Sequence, residues 1–591
     1  MTDLWQRLRQ RKLVQWALAY VAAAFALLQG IDIVATKFGW PETVERVLIL
    51  AMCVGFFAAL LLAWYHGERG AQKVSGMELV ILTVLLAIGG AVMWRFSQAP
   101  ARTAPIATTP IAASTSVVAS ARADIPQKSI AVLPLANESG DTDQLYFSDG
   151  LSEDLINALS QFEGLKVIGR NSAFQFRDTK DSAQVVGAKL RVAHLLEGSV
   201  RREADTVRIS VELINTSDAS TLWSQHYDRP YKDLFKLQDD ITEAVASALQ
   251  AKLLESGVAV VQSDRPPSGN LVAYTAYLQG KFYDARNTEA DTHQAIAQYQ
   301  AAIQADPRYA RVYAALTGTW VGLATQYLSG KEAQLAYAKA RAMANTALAL
   351  QPNLAAAHGA RGALLLNADF DWAGAQTEYR RASRLAPDDG ESLFHVGNLS
   401  ATLGDPEHAV RLNQQALAID PLNARSYYWQ AIYLSGLGRP DEATVAIQES
   451  IALQPAAVVY HEQLAVIEIL RGDARASLAA AQAEPGVIWR DAALALARQI
   501  GSDHAAADTA LKQLIDHWAD AAPYQIAESY ALRRDPDQMF QWLYRAWASR
   551  DPGIRFLLFD PFILRYQHEP RFAAFCHKVG LPTITNAKAM P

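Results

Sequence analysis

Cysteine is nearly absent: Cys53 and Cys576 are the only two in 591 residues. Two thiols so far apart make neither a disulfide framework nor a zinc site, and their scarcity suits an oxidising compartment. An excess of positive charge is missing too. Lys and Arg number 54 against 60 Asp and Glu, so the net charge of −6 offers no basic footprint for nucleic acid. The usual catalytic signatures are also lacking. Gly280-Lys281 and Gly330-Lys331 have no leading glycine for a P-loop, and no G-x-G-x-x-G occurs. His461-Glu462 lacks the second histidine of H-E-x-x-H, and G-x-S-x-G is absent. The twelve histidines are scattered rather than clustered. The expectation is a chain that is not an enzyme, with no catalytic residues, no cofactor and no metal.

What is present begins with three apolar runs. Residues 14–31, 47–65 and 79–94 contain no Asp, Glu, Lys or Arg, and each approaches the roughly 20 residues of a membrane-spanning helix. Trp16, Tyr20, Trp64, Tyr65 and Trp94 lie near their ends, where aromatic rings suit the headgroup level. A cleavable signal peptide is disfavoured, because two further runs follow and no cleavage site is evident. Asp32 reads as the interface end of its helix. Residues 1–96 are thus expected to form an anchor of three transmembrane helices. Arg7, Arg9, Arg11 and Lys12 hold the N-terminus in the cytoplasm, which places everything after about residue 96 on the far side. Residues 97–127, rich in Ala, Thr, Ser and Pro, follow as a disordered linker.

From residue 128 to 255 the pattern is that of a small α/β domain. Residues 129–135 read as a buried strand, 146–162 as an amphipathic helix, and 194–228 as a three-stranded meander. Val207, Ile209, Val211 and Leu213 alternate to one face. Asp149, Glu153 and Asp154, with Arg170, Arg201 and Arg202, invite a phosphate or metal reading. Acids placed by the dipole of a helix start, with solvated arginines, explain the same residues more simply.

Residues 271–582 carry a repeat. Pro387, Pro421 and Pro455 are spaced by 34 residues, each closing a segment with alanine near its middle. That period marks the tetratricopeptide repeat, two helices per unit, which must stack to bury its apolar face. Gly404 and Gly438 are expected to end the first helix of their units in a left-handed turn. After a sixth unit the pattern blurs, and Phe556, Phe559, Phe562, Phe572 and Phe575 are expected to cap the array. The fold class is multidomain: N-terminal transmembrane helices, a small α/β domain and an all-α tetratricopeptide superhelix.

The strings KSIAVLPLANESGD, YFSDGLSEDLINALSQFEGLKVIGRNSAFQF, LLEGSVRRE and TLWSQHYDRP resemble the FlgO-like or TolB-N-terminal-like module. In many bacterial proteins that module precedes tetratricopeptide repeats. Such relatives often carry a class III adenylate cyclase domain or a CadC-like winged helix. With 13 residues before the first apolar run, neither is expected here. The resemblance implies a bacterial inner-membrane protein with its module and repeats in the periplasm.

The resemblance to tetratricopeptide repeats implies which positions line the inner groove. These are Glu391, Phe394 and Asn398 in the fourth unit and Arg425, Tyr428 and Ile432 in the fifth. Mixed aromatic and polar side chains suit a peptide or helix laid in a groove. The expected function is protein–protein interaction as a scaffold or assembly platform. The partner is a protein or peptide, with the membrane as support, no nucleic acid, and a homo-oligomer allowed. The alternative is a transmembrane sensor that relays ligand or peptide binding to a separate cytoplasmic signalling partner.

Overall fold

The computed structural model describes residues 125–583 except 142–143, 204, 250–251, 254–263, 287, 329 and 388. The three expected spans, and the linker up to residue 124, lie outside the described residues. Among the described residues no helix is long and apolar enough to cross a membrane.

The first elements are β1 (Ser129–Val132), β2 (Ala136–Asn137), α1 (Leu145–Leu159), β3 (Phe162–Glu163), β4 (Lys166–Val167) and α2 (Arg170–Ala173). Then come α3 (Ala183–Leu190), β5 (His194–Glu203), β6 (Thr206–Asn215), β7 (Thr221–Pro230), α4 (Leu234–Ala248) and β8 (Lys252–Leu253). β1 lies between β4 and β5, parallel to both, and β5, β6 and β7 form an antiparallel meander. β2 adds to β5 in parallel, while β3 and β8 make a separate small pair. β1 is buried throughout, Ser129 included, because both of its faces are covered. Ile130 and Val132 join the core with α1 and α4, whereas Ala131 and Leu133 join a second core with α3. On β6 the pleat sends Val207, Ile209, Val211 and Leu213 inward and leaves Arg208 in solvent.

Eight helix pairs follow. The first three are α5 (Leu271–Asp284) with α6 (Glu289–Ala305), α7 (Ala310–Gln326) with α8 (Gly330–Leu350), and α9 (Ala355–Leu364) with α10 (Trp372–Leu385). The regular middle is α11 (Gly390–Thr402) with α12 (Pro406–Ile419), α13 (Ala424–Gly436) with α14 (Pro440–Leu453), and α15 (Tyr460–Arg471) with α16 (Ala474–Ala483). The stretch where the pattern blurs still forms two pairs, α17 (Val487–Arg498) with α18 (His504–Trp518) and α19 (Pro523–Leu532) with α20 (Pro536–Ser549).

The 34-residue period has a backbone cause. Phe370, Gly404, Gly438 and Gly472 stand 34 apart, and their φ angles of 53°, 90°, 69° and 76° are all left-handed. Such a residue stops the first helix of each pair. The next helix is then capped: Asp371, Asp405 and Asp473 accept from the amides of Gly374, His408 and Ala476 at 2.9, 2.9 and 2.8 Å. Pro406 and Pro440 take the first helical position, where a missing N–H costs nothing. Phe370 pays the β-carbon penalty of a left-handed residue, roughly 1–2 kcal/mol. Its ring is held between Trp372 and Trp547, with both centroids 5.4 Å away.

After α20 the chain turns back through Pro552–Phe556 and Ile563–Tyr566 into α21 (Pro570–Val579). Phe562, Phe572 and Phe575 pack with Phe540 and Leu543 of the last pair, but the same core takes in Phe370 and Trp372 of the third. Trp372 Nε1 donates to the carbonyl of Val579 at 2.9 Å. The end of the chain therefore does more than cover the last helix. It ties the last pair to the third, and it turns Phe556 and Phe559 onto Trp429 and Tyr433.

The sheet module docks onto the array at two places. α1 lies so close to α5 that a β-carbon at Gly150 would stand 2.5 Å from Leu278 Cδ1. Further along, Asp420 takes the N-terminus of α2. Its carboxylate accepts from the Ser172 amide at 2.7 Å, from Asn171 Nδ2 at 2.8 Å and from the Ser172 hydroxyl. The Gly169 amide donates to the Ile419 carbonyl at 3.0 Å, and Leu422 packs into the α3-side core.

Candidate functional site

Module, repeats and returning segment together wall one cavity of about 2020 Å³. All six groove positions expected from the sequence line it: Glu391, Phe394, Asn398, Arg425, Tyr428 and Ile432. They are not free of one another. Glu391 pairs with Arg425, whose guanidinium lies 4.4 Å from the Phe394 ring centroid. Phe394 meets Trp429 edge-on at 5.8 Å, and Tyr428 stacks on Tyr460 at 5.1 Å. Asn398 donates to the Tyr433 hydroxyl at 3.5 Å while its Oδ1 finds no partner. Ile432 is almost fully buried.

At the module end the cavity wall is charged and internally neutralised. Arg170, Glu153, Lys281, Asp264 and Arg311 form a chain of alternating sign, with separations of 3.2, 2.7, 2.8 and 2.7 Å. Burial pushes the Asp264 carboxyl up, but Arg311 and Lys281 outweigh it and hold the group below its ordinary range. Glu153 and Arg170, singled out in the sequence, thus belong to an ion-pair chain. The helix-dipole reading of the acids is corrected here. α1 begins at Leu145 and has no acidic residue in its first turn, so Asp149, Glu153 and Asp154 lie beyond the reach of the dipole. Asp149 pairs instead with Arg177, at 2.5 Å. Asp154 accepts from Gln238 at 2.8 Å, and burial first and Asp264 second raise it. Arg201 pairs with Glu203 and Arg202 stacks on Tyr231, so the two arginines do not join these acids.

At the other end stands a residue that sequence reading passed over. Arg555, on the returning segment, faces the cavity. Its guanidinium lies 4.9 Å from the ring centroids of both Trp429 and Phe556, and these two rings are parallel within 6°. Its hydrogen bond runs from Nη1 to Asn367 Oδ1 at 3.0 Å. Asn367 is presented by a π-helical turn, Leu365–Asp369, at the end of α9, a local widening often found at functional positions. Nε of Arg555 is buried without a hydrogen-bond partner, and the groups acting on the guanidinium are tyrosines, not a carboxylate. Burial lowers its pKa, an effect opposed by Tyr428, Tyr433, Tyr379 and Tyr337.

Acids are nearby, yet they are neutral or already engaged. Burial raises Glu462 to about 8, with Glu484 and Asp560 adding to the shift. Glu528 stands well above its ordinary value, from burial first and Asp560 second. Glu484 is spent on the amides of Val459, Glu462 and Gly486 at 3.0, 3.1 and 3.0 Å. Asp560 is spent on the amides of Phe562 and Ile563 at 2.8 and 3.0 Å. Among the described residues no group of three or more His, Cys, Asp or Glu has the arrangement to hold a metal ion.

Known proteins share parts of this chain. The family model described as HilA/YgeH-like transcriptional regulator, second domain, matches residues 126–244, the sheet module. A tetratricopeptide-repeat model matches residues 412–444, from α12 to α14. A protein of Rhizobium meliloti (strain 1021) named "Putative adenylate cyclase 3" is 32% identical over 322 residues. The alignment covers 54% of this chain and 42% of that protein, so the chain spans less than half the length of the curated relative it matches. Among solved structures, the APC/C hetero-tetramer Cut9–Hcn1 is similar at 13% identity and a TM-score of 0.36, over 97% of this chain and 96% of that one. A tetratricopeptide repeat protein from Parabacteroides merdae is similar at 14% identity and a TM-score of 0.31, over 46% of this chain and 99% of that one. The helical region is built of tetratricopeptide repeats, with a small sheet module before them.

Proposed function

We propose that this chain of tetratricopeptide repeats is a non-enzymatic binding protein whose cavity holds a protein or peptide partner. The observation that carries this reading is the convergence of the six expected groove residues on one cavity wall. At about 2020 Å³ the cavity exceeds the ~300–1,000 Å³ of small-molecule sites and has room for a stretch of chain. Its wall alternates aromatic faces with amides and charges, as peptide grooves do. In this reading the protein is a scaffold held by three N-terminal spans in a bacterial inner membrane, with a FlgO-like module and repeats in the periplasm. A photo-crosslinking amino acid placed at Asn398 tests the cavity in intact cells. A control is placed at Val445, which is 63% exposed on α14. A discrete adduct is expected from Asn398 and none from Val445; adducts from Val445 alone, or from neither, would refute the reading. Alkaline phosphatase fused to the C-terminus tests the placement. Activity is expected, and an inactive fusion puts the repeats on the cytoplasmic side.

The second reading is a sensor. What favours it is the mechanical continuity of module and array. One hydrophobic core runs from β1 through α5 to α8, and Asp420 grips α2 directly. An occupant that separates the walls of the cavity would therefore move the module. The cyclase-named relative is consistent with a signalling context.

A further inference from the structure

We propose that Arg555 is the receptor for a carboxylate carried by the peptide that occupies the cavity, an inference that rests on the peptide-binding reading above. A guanidinium partly withdrawn from water without a counter-charge opposes folding, so its presence between the Trp429 and Phe556 rings calls for an anionic guest. The geometry is prepared for one. Asn367 holds Nη1 from one side, and the rings of Trp429 and Phe556 steady the plane. Nε is closed off from the cavity, Nη2 carries no hydrogen bond among the described residues, and the groups that act on the guanidinium are tyrosines rather than carboxylates. That leaves Nη2, beside the second hydrogen of Nη1, to receive a carboxylate oxygen.

The acids around it support the assignment. Burial keeps Glu462 protonated at neutral pH, with Glu484 and Asp560 reinforcing it. It is therefore a weak rival for the cation. The rings favour a chain over a nucleobase, since they are spent on one another. Trp429 stacks on Phe556, Tyr428 on Tyr460 and Tyr379 on His395, at 5.8, 5.1 and 4.9 Å. The carboxylate has two sources, the C-terminus of a peptide or an Asp or Glu side chain within it.

The test uses the full-length chain in detergent and three fluorescent pools of random hexapeptides, followed by anisotropy. The first pool has a free C-terminus and no acidic residues. The second is amidated and contains Asp and Glu, and the third is amidated without them. One or both carboxylate pools should bind about ten- to a hundredfold more tightly than the third, the worth of a charged hydrogen bond. Which of the two does so identifies the source. Arg555→Met should erase the preference while the melting temperature of the empty protein stays the same or rises. Should R555M fail to fold, Arg555→Lys keeps the charge, loses the fork, and should cut the preference severalfold. Equal binding of all three pools, or a preference that survives these substitutions, overturns the proposal and leaves the peptide reading standing. Silence of every pool removes both. Inorganic phosphate that binds through Arg555 while the pools stay silent reassigns the site to a phosphate.

Discussion

Two half-buried charge clusters face the same cavity and obey opposite rules. At the module end, five side chains alternate in sign from Arg170 to Arg311, so every charge has its counter-charge at a separation no greater than 3.2 Å. At the far end Arg555 has one amide oxygen, two rings and four tyrosines around it, but no carboxylate at ion-pair distance among the described residues. The first cluster joins two regions of the chain, since its members come from α1, α2, α5, α7 and the segment before α5. A junction needs its charges satisfied in the resting protein. The second joins nothing that packing does not already join. A charge left unmatched in a built wall is matched by something that arrives.

The comparison breaks most visibly at Asp264. Asp264→Ala removes the partner of both Lys281 and Arg311 and the acceptor of a 3.4 Å bond from Asn157. Removing one partner of such an ion-pair chain costs about 3–5 kcal/mol, which equilibrium urea unfolding should report, with repeats and module loosening together. Arg555→Met, by contrast, removes a cation that has an amide oxygen but no counter-charge to lose, and replacing a buried charge by an apolar side chain of similar length is commonly neutral or stabilising. If the two substitutions destabilise equally, both clusters are structural and the distinction fails.

The sequence carried the array and much of the module because both are written locally. The left-handed glycines at 404, 438 and 472 are spaced by the period itself, and β6 announces its inner face residue by residue. Phe370 hid the same turn in the third unit, since a bulky residue in that conformation survives only through the two tryptophans that clamp it. Past Gly472 the left-handed role passes to Arg534, so the last pairs lose their signature while keeping their helices. The cavity was half legible. The six groove positions are those that the resemblance to tetratricopeptide repeats implies, and they line the cavity, but what faces them lay outside that pattern. Arg555 meets Asn367 across 188 residues and Asp420 meets Ser172 across 248, separations at which no local pattern speaks. The acids of α1 misled because their partners come from elsewhere in the fold: Lys281 of α5 for Glu153, Arg177 for Asp149 and Gln238 of α4 for Asp154.

The subtler way to sharpen the comparison is to titrate the acids near Arg555. Burial, then Glu484 and Asp560, raise Glu462 from 4.5 to about 8. Between those values the folded protein keeps a proton that the unfolded chain has released. This contribution to stability is whole below about pH 4.5 and drains away as pH climbs through 8, with a limiting slope of about 1.4 kcal/mol per pH unit. Glu528, raised by burial and by Asp560, acts in the same direction. Asp264 acts oppositely and elsewhere, because a carboxyl held below its ordinary 3.8 loses its contribution only under acid conditions. Glu462→Gln retains a neutral hydrogen-bonding group and has no proton to release. Urea unfolding at several pH values between about 5 and 8 should therefore show a shallower decline in the variant than in the parent. Parallel curves would mean that Glu462 is ionised in the folded protein. It would then supply, from a distance, the counter-charge that Arg555 is argued to lack, and the two ends of the cavity would obey the same rule after all.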